Sequence, residues 1–179
     1  MHTRSIYLGV LVSLLIGLSA PGSWALAKLR ISTGAVIQAD ELTLRQIEEA
    51  FNRAEEAMEN EDLETLMQLY SIDYRYQTYT KDDMRKIWKD FFQKYDRITS
   101  LHAFSKVVVK PGKPPTAEIV CTGSLWATDS VTHRRVNLAS WLGNTHYLVY
   151  ERGEWRIKGQ GVKASPTSPF GKTVPPPLF

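Results

Sequence analysis

The residues that could carry chemistry are few and scattered. His146 lies among Leu142, Leu148 and other apolar side chains, and it is the only group placed to act as a general base on a buried surface. The alternative role for it is a buried histidine bonded to a tyrosine or a backbone group. Asp73, a carboxylate between Ile72 and Tyr74, is the second candidate for proton transfer. Alternation turns it away from Tyr74 and Tyr76, and its place just after a helix also suits turn or capping chemistry. Cys121 is the only cysteine, so no intramolecular disulfide and no lipoprotein anchor can form. It sits in an apolar run after Ile119-Val120, where a thiol packs as a small hydrophobe rather than reacting. His102 and His133 read as isolated residues near strand ends and give no metal-ligand spacing, so no metal and no cofactor is expected.

What must position these groups is one domain preceded by an address. Arg4, the uncharged run Ser5–Ala20 and Ala25-Leu26-Ala27 have the three regions of an export signal, with cleavage expected after Ala27. The expected location is periplasmic or secreted, with no membrane association after cleavage. Residues 28–42 form a leader without a period, 43–163 the domain, and 164–179 a Pro-rich tail ending in Pro175-Pro176-Pro177-Leu178-Phe179, expected to be extended and disordered. The chain carries 22 Lys plus Arg against 19 acidic residues and shows no basic block, so nucleic acid is not an expected partner.

From Thr43, with Gln46 as a capping-box partner, Ile47, Ala50, Phe51, Ala54 and Ala57 recur at helical spacing. Asn60-Glu61-Asp62 opens a shorter helix through Tyr70. Residues 72–79 alternate as a strand. Thr80 with Asp82-Asp83 then starts a third helix to about Arg97, striped by Met84, Ile87, Trp88, Phe91, Phe92 and Tyr95. Strands follow at 101–110, 116–128, 134–151 and 154–162, with a bend or bulge at Gly143-Asn144 and a tight turn at Arg152-Gly153, giving an antiparallel meander. The fold class is α+β: three N-terminal helices on a curved, mainly antiparallel sheet.

Asn60-Glu61-Asp62-Leu63-Glu64-Thr65-Leu66-Met67-Gln68-Leu69-Tyr70, then Asp73-Tyr74, and the closing Gly153-Glu154-Trp155-Arg156-Ile157 resemble the nuclear transport factor 2-like, SnoaL-like superfamily over 44–162. The resemblance implies a cone with an internal pocket, often dimeric through the outer sheet face, hosting isomerases, cyclases, dehydratases and adaptors alike. Aligned without gaps, the isomerase tyrosine falls at Ala54, its base carboxylate at Thr78 and its neutral acid near Thr145 or His146, so that particular chemistry is not expected.

Strand parity then assigns a ligand pocket to Tyr74, Tyr76, Thr78, Cys121, Ser140 and His146, walled by Trp88 and Phe92. It suits a small apolar or amphipathic molecule. The opposite face receives Phe104, Trp126, Trp141 and Tyr147, which a second copy would cover in a homodimer. The leading expectation is a binder in the cone without established catalysis. The alternatives are an isomerase-, dehydratase- or cyclase-type enzyme using His146 or Asp73, and an assembly or adaptor protein acting through its sheet face or tail.

Overall fold

A computed structural model describes residues 29–161; the expected export signal and Pro-rich tail lie outside the described residues. The elements are β1 (Leu29–Gln38), α1 (Glu41–Glu59), α2 (Leu63–Leu66) running into a 3-10 turn (Met67–Leu69), β2 (Tyr70–Tyr76), β3 (Tyr79–Thr80), α3 (Lys81–Lys94), β4 (Tyr95–Lys110), β5 (Thr116–Asp129), β6 (Arg135–Glu151) and β7 (Glu154–Gly161). No helix among the described residues is long and apolar enough to cross a membrane.

The seven strands form one sheet in the order β1-β4-β5-β6-β7-β2-β3. Strands β4 to β7 are the expected antiparallel meander, whereas β1 runs parallel to β4 and β2 parallel to β7. The helices pack on its concave side, so the class is α+β. The buried set runs from Ile47 and Phe51 of α1 through Tyr70, Tyr74 and Trp88 to Ile119, Leu148 and Ile157.

Several boundaries differ from the sequence reading. Asp40, not Thr43, caps α1: its carboxylate accepts from the Thr43 backbone N–H at 2.9 Å and from the Thr43 hydroxyl at 2.7 Å, so the helix opens at Glu41. Residues 29–38 are a strand where no period was legible. As an edge strand it buries only Leu29, and a register shift between Ile31 and Val36, around Gly34 at φ +76°, interrupts its alternation. Helix α3 starts at Thr80 as expected, closed by a capping box with Asp83, but it stops at Lys94. There the Ser130 N–H and hydroxyl, from the turn after β5, both donate to the Lys94 carbonyl, at 3.1 and 2.9 Å. The chain leaves that turn already extended, so β4 begins at Tyr95.

Two of the register shifts in β4 to β6 decide which side chains flank the centre of the cone. In β4, Phe104 pairs with Cys121 and Lys106 with Val120, leaving Ser105 as an extra residue. Ile98, Ser100, His102 and Phe104 therefore point inward before it, and Val107 after it. Between Trp141 and Asn144, β6 holds two residues opposite the single Thr122 of β5, and Gly143 takes φ +67°. The Gly143 N–H donates to the Thr122 hydroxyl at 3.1 Å. Trp141 lies inside on one side of this bulge and Asn144, His146 and Leu148 on the other. In β5, by contrast, Ala117, Ile119, Cys121, Leu125 and Ala127 face inward at odd positions, as parity predicts.

Candidate functional site

Glu55 is the least expected member of the core. It lies on the same helical stripe as Ile47, Phe51 and Met58, and it is 1% exposed. Across from it, β4 presents Ser100 and His102, two residues apart and on one face; His102 is fully buried. The Glu55 Oε1 accepts from the Ser100 hydroxyl at 2.9 Å and lies 2.6 Å from His102 Nδ1. Two groups thus converge on one carboxylate oxygen, and Nδ1 is the ring nitrogen that faces it. His102 is also not near a strand end, as it reads in the sequence, because β4 starts at Tyr95 and places it in mid-strand.

His146 comes in from β6. It is fully buried, its ring centroid 6.0 Å from that of Phe51, and burial first, then the nearby His102, hold its pKa down at about 3. The imidazole is therefore neutral. Neither of its nitrogens has a hydrogen-bond partner among the described residues, nor do Glu55 Oε2 and the Tyr74 hydroxyl. Desolvation, then Tyr76, raises the Tyr74 pKa, so the phenol keeps its proton.

The sequence-assigned residues divide cleanly. Tyr74, Tyr76, Trp88, Cys121 and His146 are buried on the concave side, and Phe92 is half-buried beside Trp88 at 5.8 Å. Thr78 is not among them: it sits in the turn that joins β2 to β3, after Gln77 at φ +52°. Ser140 is also exposed, because the β6 bulge places it on the face opposite His146. For the same reason Trp141 is buried rather than on a dimer face, and Phe104 is buried edge-on to Phe51 at 5.0 Å. Trp126 and Tyr147 do remain exposed on the outer face, at 39% and 47%. Asp73 is exposed on β2, away from the interior. Burial pushes the Cys121 thiol up to about 12, which removes it as a nucleophile at neutral pH.

Sequence reasoning missed Glu55, Ser100 and the working position of His102. A signal for Glu55 existed: it is four residues after Phe51 and eight after Ile47, a charge written into the apolar stripe.

Two cavities flank the interior without reaching the dyad. One, of about 10 Å³, is bounded by Ala50, Ala54, Leu69 and Trp155 and has room for about one water. The other, of about 210 Å³, opens at the sheet end between Lys110, Thr116, Glu118, Tyr147 and Lys158. Around Glu55 and His102 the side chains pack on one another: Phe51 meets the His102 ring at 5.8 Å and Trp141 meets it at 5.2 Å. Among the described residues no group of three His, Cys, Asp or Glu side chains could hold a metal ion.

No family model matches the chain, and no curated protein sequence matches it. Solved structures do. Aln2 from a Streptomyces species aligns with 69% of this chain and 91% of its own at 11% identity and a TM-score of 0.54. A ketosteroid isomerase-like protein from Erwinia carotovora atroseptica aligns over 68% and 95% at 16% identity and a TM-score of 0.51. Bd1075 of Bdellovibrio bacteriovorus is matched over 65% of this chain and only 40% of its own length, at 12% identity and a TM-score of 0.49. At these identities the likeness concerns the fold. The chain has the nuclear transport factor 2-like, SnoaL-like cone fold.

Proposed function

We propose that the concave interior is an acid–base site for a small, largely apolar molecule, with Glu55 and His102 as the proton-moving dyad and His146 as a neutral imidazole that binds the molecule's polar end. One observation carries this reading: a carboxylate and an imidazole 2.6 Å apart, at 1% and 0% exposure, in a largely apolar interior. Apolar side chains of similar volume would stabilise such a core at least as well, so folding alone gives little reason for the pair. Perturbed or coupled ionisable groups in a protein's interior are characteristic of sites.

The roles follow from the atoms. Glu55 orients the imidazole through Nδ1, which makes Nε2 the nitrogen that takes a proton from a carbon beside a carbonyl, or from one next to a departing hydroxyl. A proton returned to another carbon gives isomerisation; loss of hydroxide with the proton gives dehydration. Neutral His146 can donate one hydrogen bond to the carbonyl or hydroxyl oxygen. The isomerase-type positions at Ala54 and Thr78 take no part, so the carboxylate comes from the first helix instead of a strand. Phe51, Phe104 and Trp141 supply the apolar surround. We also propose that the protein is exported and pairs with a second copy through the face bearing Trp126 and Tyr147.

The packed interior favours a second reading, binding without turnover, in which a ligand displaces aromatic side chains and the dyad serves only as its polar anchor. One experiment separates the two. The protein, labelled with ¹⁵N at its histidines, is titrated with cyclic ketones and β-hydroxy ketones while deuterium exchange at the α-carbon and loss of water are followed. The expected result is movement of the His102 and His146 ring signals and turnover that falls about 100-fold or more in His102→Gln. Ring movement without turnover establishes the binder. Unmoved rings across the series would overturn both readings.

A further inference from the structure

The dyad histidine has a neighbour whose presence depends on the absence of a side chain. His102 of β4, Gly123 of β5 and Trp141 of β6 are cross-strand partners in a single row. A Cβ on Gly123 would lie 2.2 Å from the Leu101 carbonyl oxygen and 2.4 Å from Trp141 Cζ2, well inside contact distance. Any residue but glycine would therefore occupy the space of the indole. With that space open, the Trp141 ring reaches across β5 to the His102 ring, centroid to centroid 5.2 Å at 50°. Its Nε1–H donates to Cys121 Sγ at 3.4 Å, so the indole is tied to β5 as well.

The imidazole is thus enclosed by Trp141 and by the edge of Phe51 at 5.8 Å, with Glu55 on Nδ1. A hydrogen bond alone does not fix a ring that can turn about its Cβ–Cγ bond, since a half-turn puts the Cδ2–H edge where Nδ1 was and takes the hydrogen bond off the carboxylate. Packing that resists the turn keeps Nδ1 on Glu55.

We propose that Trp141 is the positioning residue of the dyad: lying over Gly123, its indole holds the His102 imidazole in the one orientation that gives Nδ1 to Glu55. Cys121 serves as the thiol that anchors the indole. The proposal rests on the acid–base reading for its purpose. Its test needs no ligand, so it can fail or hold independently of that reading.

Ring-nitrogen shifts of His102, measured by long-range ¹H–¹⁵N correlation at neutral pH, report which nitrogen carries the proton. In the unmodified protein a preference of at least about tenfold for Nδ1–H is expected. Trp141→Leu is expected to reduce it to near parity, and Trp141→Phe, which keeps an aromatic face but not the Nε1–H that Cys121 accepts, to give an intermediate value. Cys121→Ala frees one side of the indole and is expected to give an intermediate value in a protein that folds. Trp155→Leu removes a buried indole that stacks on Tyr150 at 5.3 Å, and it serves as the control for lost packing. The proposal is overturned if Cys121→Ala and Trp141→Leu leave the His102 nitrogens as they were, or if Trp155→Leu shifts them equally.

Discussion

The two ends of the core under α1 and under α3 use aromatic residues in similar number and polar residues in opposite ways. Under α3, the Trp88 indole donates to the Tyr70 hydroxyl at 3.0 Å, and Tyr70 meets Tyr74 edge-on at 5.1 Å and 87°. Burial raises the Tyr70 pKa still further than that of Tyr74, so both phenols remain uncharged. Under α1, the same depth holds a carboxylate and two imidazoles. A neutral hydrogen bond contributes about 1 kcal/mol net, whereas breaking a buried ionisable pair costs several times that. The cone is thus ordinary core at one end and an electrostatic commitment at the other.

The largest expected effect tests that asymmetry directly. His102→Ala leaves Glu55 without its imidazole partner and should lower the urea unfolding free energy by about 3–5 kcal/mol. The double change Glu55→Leu with His102→Phe should recover most of it. A double variant no better than the single one would mean that shape, not charge, matters there.

Acid should reach one end first. The folded pKa of His146 lies at about 3 against 6.5 when exposed, so below pH 6.5 the unfolded chain binds a proton that the folded one refuses. Stability should therefore fall as pH drops from 6.5 towards 3, by at most about 1.4 kcal/mol per pH unit from this group. Urea midpoints at pH 7 and pH 5 measure the loss, and His146→Leu should flatten it. The carboxylates with lowered pKa, Asp40, Asp62, Asp83 and Asp129 below their unfolded value of 3.8 and Glu118 below 4.5, act at the acid end of the range.

Under α3 the corresponding change is smaller. Tyr70→Phe removes the hydroxyl that accepts from Trp88 and should cost about 1–2 kcal/mol, with no change in the pH 5 to 7 slope. A slope that changed would show the two ends to be coupled. Smallest of all, Trp126→Ser with Tyr147→Ser on the outer face should alter unfolding by less than about 0.5 kcal/mol. Sedimentation should nonetheless move toward the monomer, in keeping with the proposed pairing of copies.

Much of the fold was legible because α1, α3 and β5 each repeat at a single period over their whole length. The site was less so, for two physical reasons. Bulges at Ser105 and Gly143 shift the period by one residue inside β4 and β6, which inverts the faces of Phe104, Ser140 and Trp141, and no local residue type announces how far each shift extends. Glu55 was hidden by its own chemistry, since a glutamate on a helix is solvated unless a partner far along the chain waits for it. Here that partner is His102, 47 residues later.

The hydrogen bonds from Ser130 to the Lys94 carbonyl carry a consequence in time. The end of α3 is set by a residue that lies 36 positions further along. On a growing chain the helix therefore has no fixed terminus until the β5–β6 turn has been made, and Tyr95 to Arg97 can extend it by just under one turn in the interval. Commitment of the first residues of β4 to the sheet would then be a late event, paced by closure of the β4–β5 hairpin rather than by the helix that precedes it.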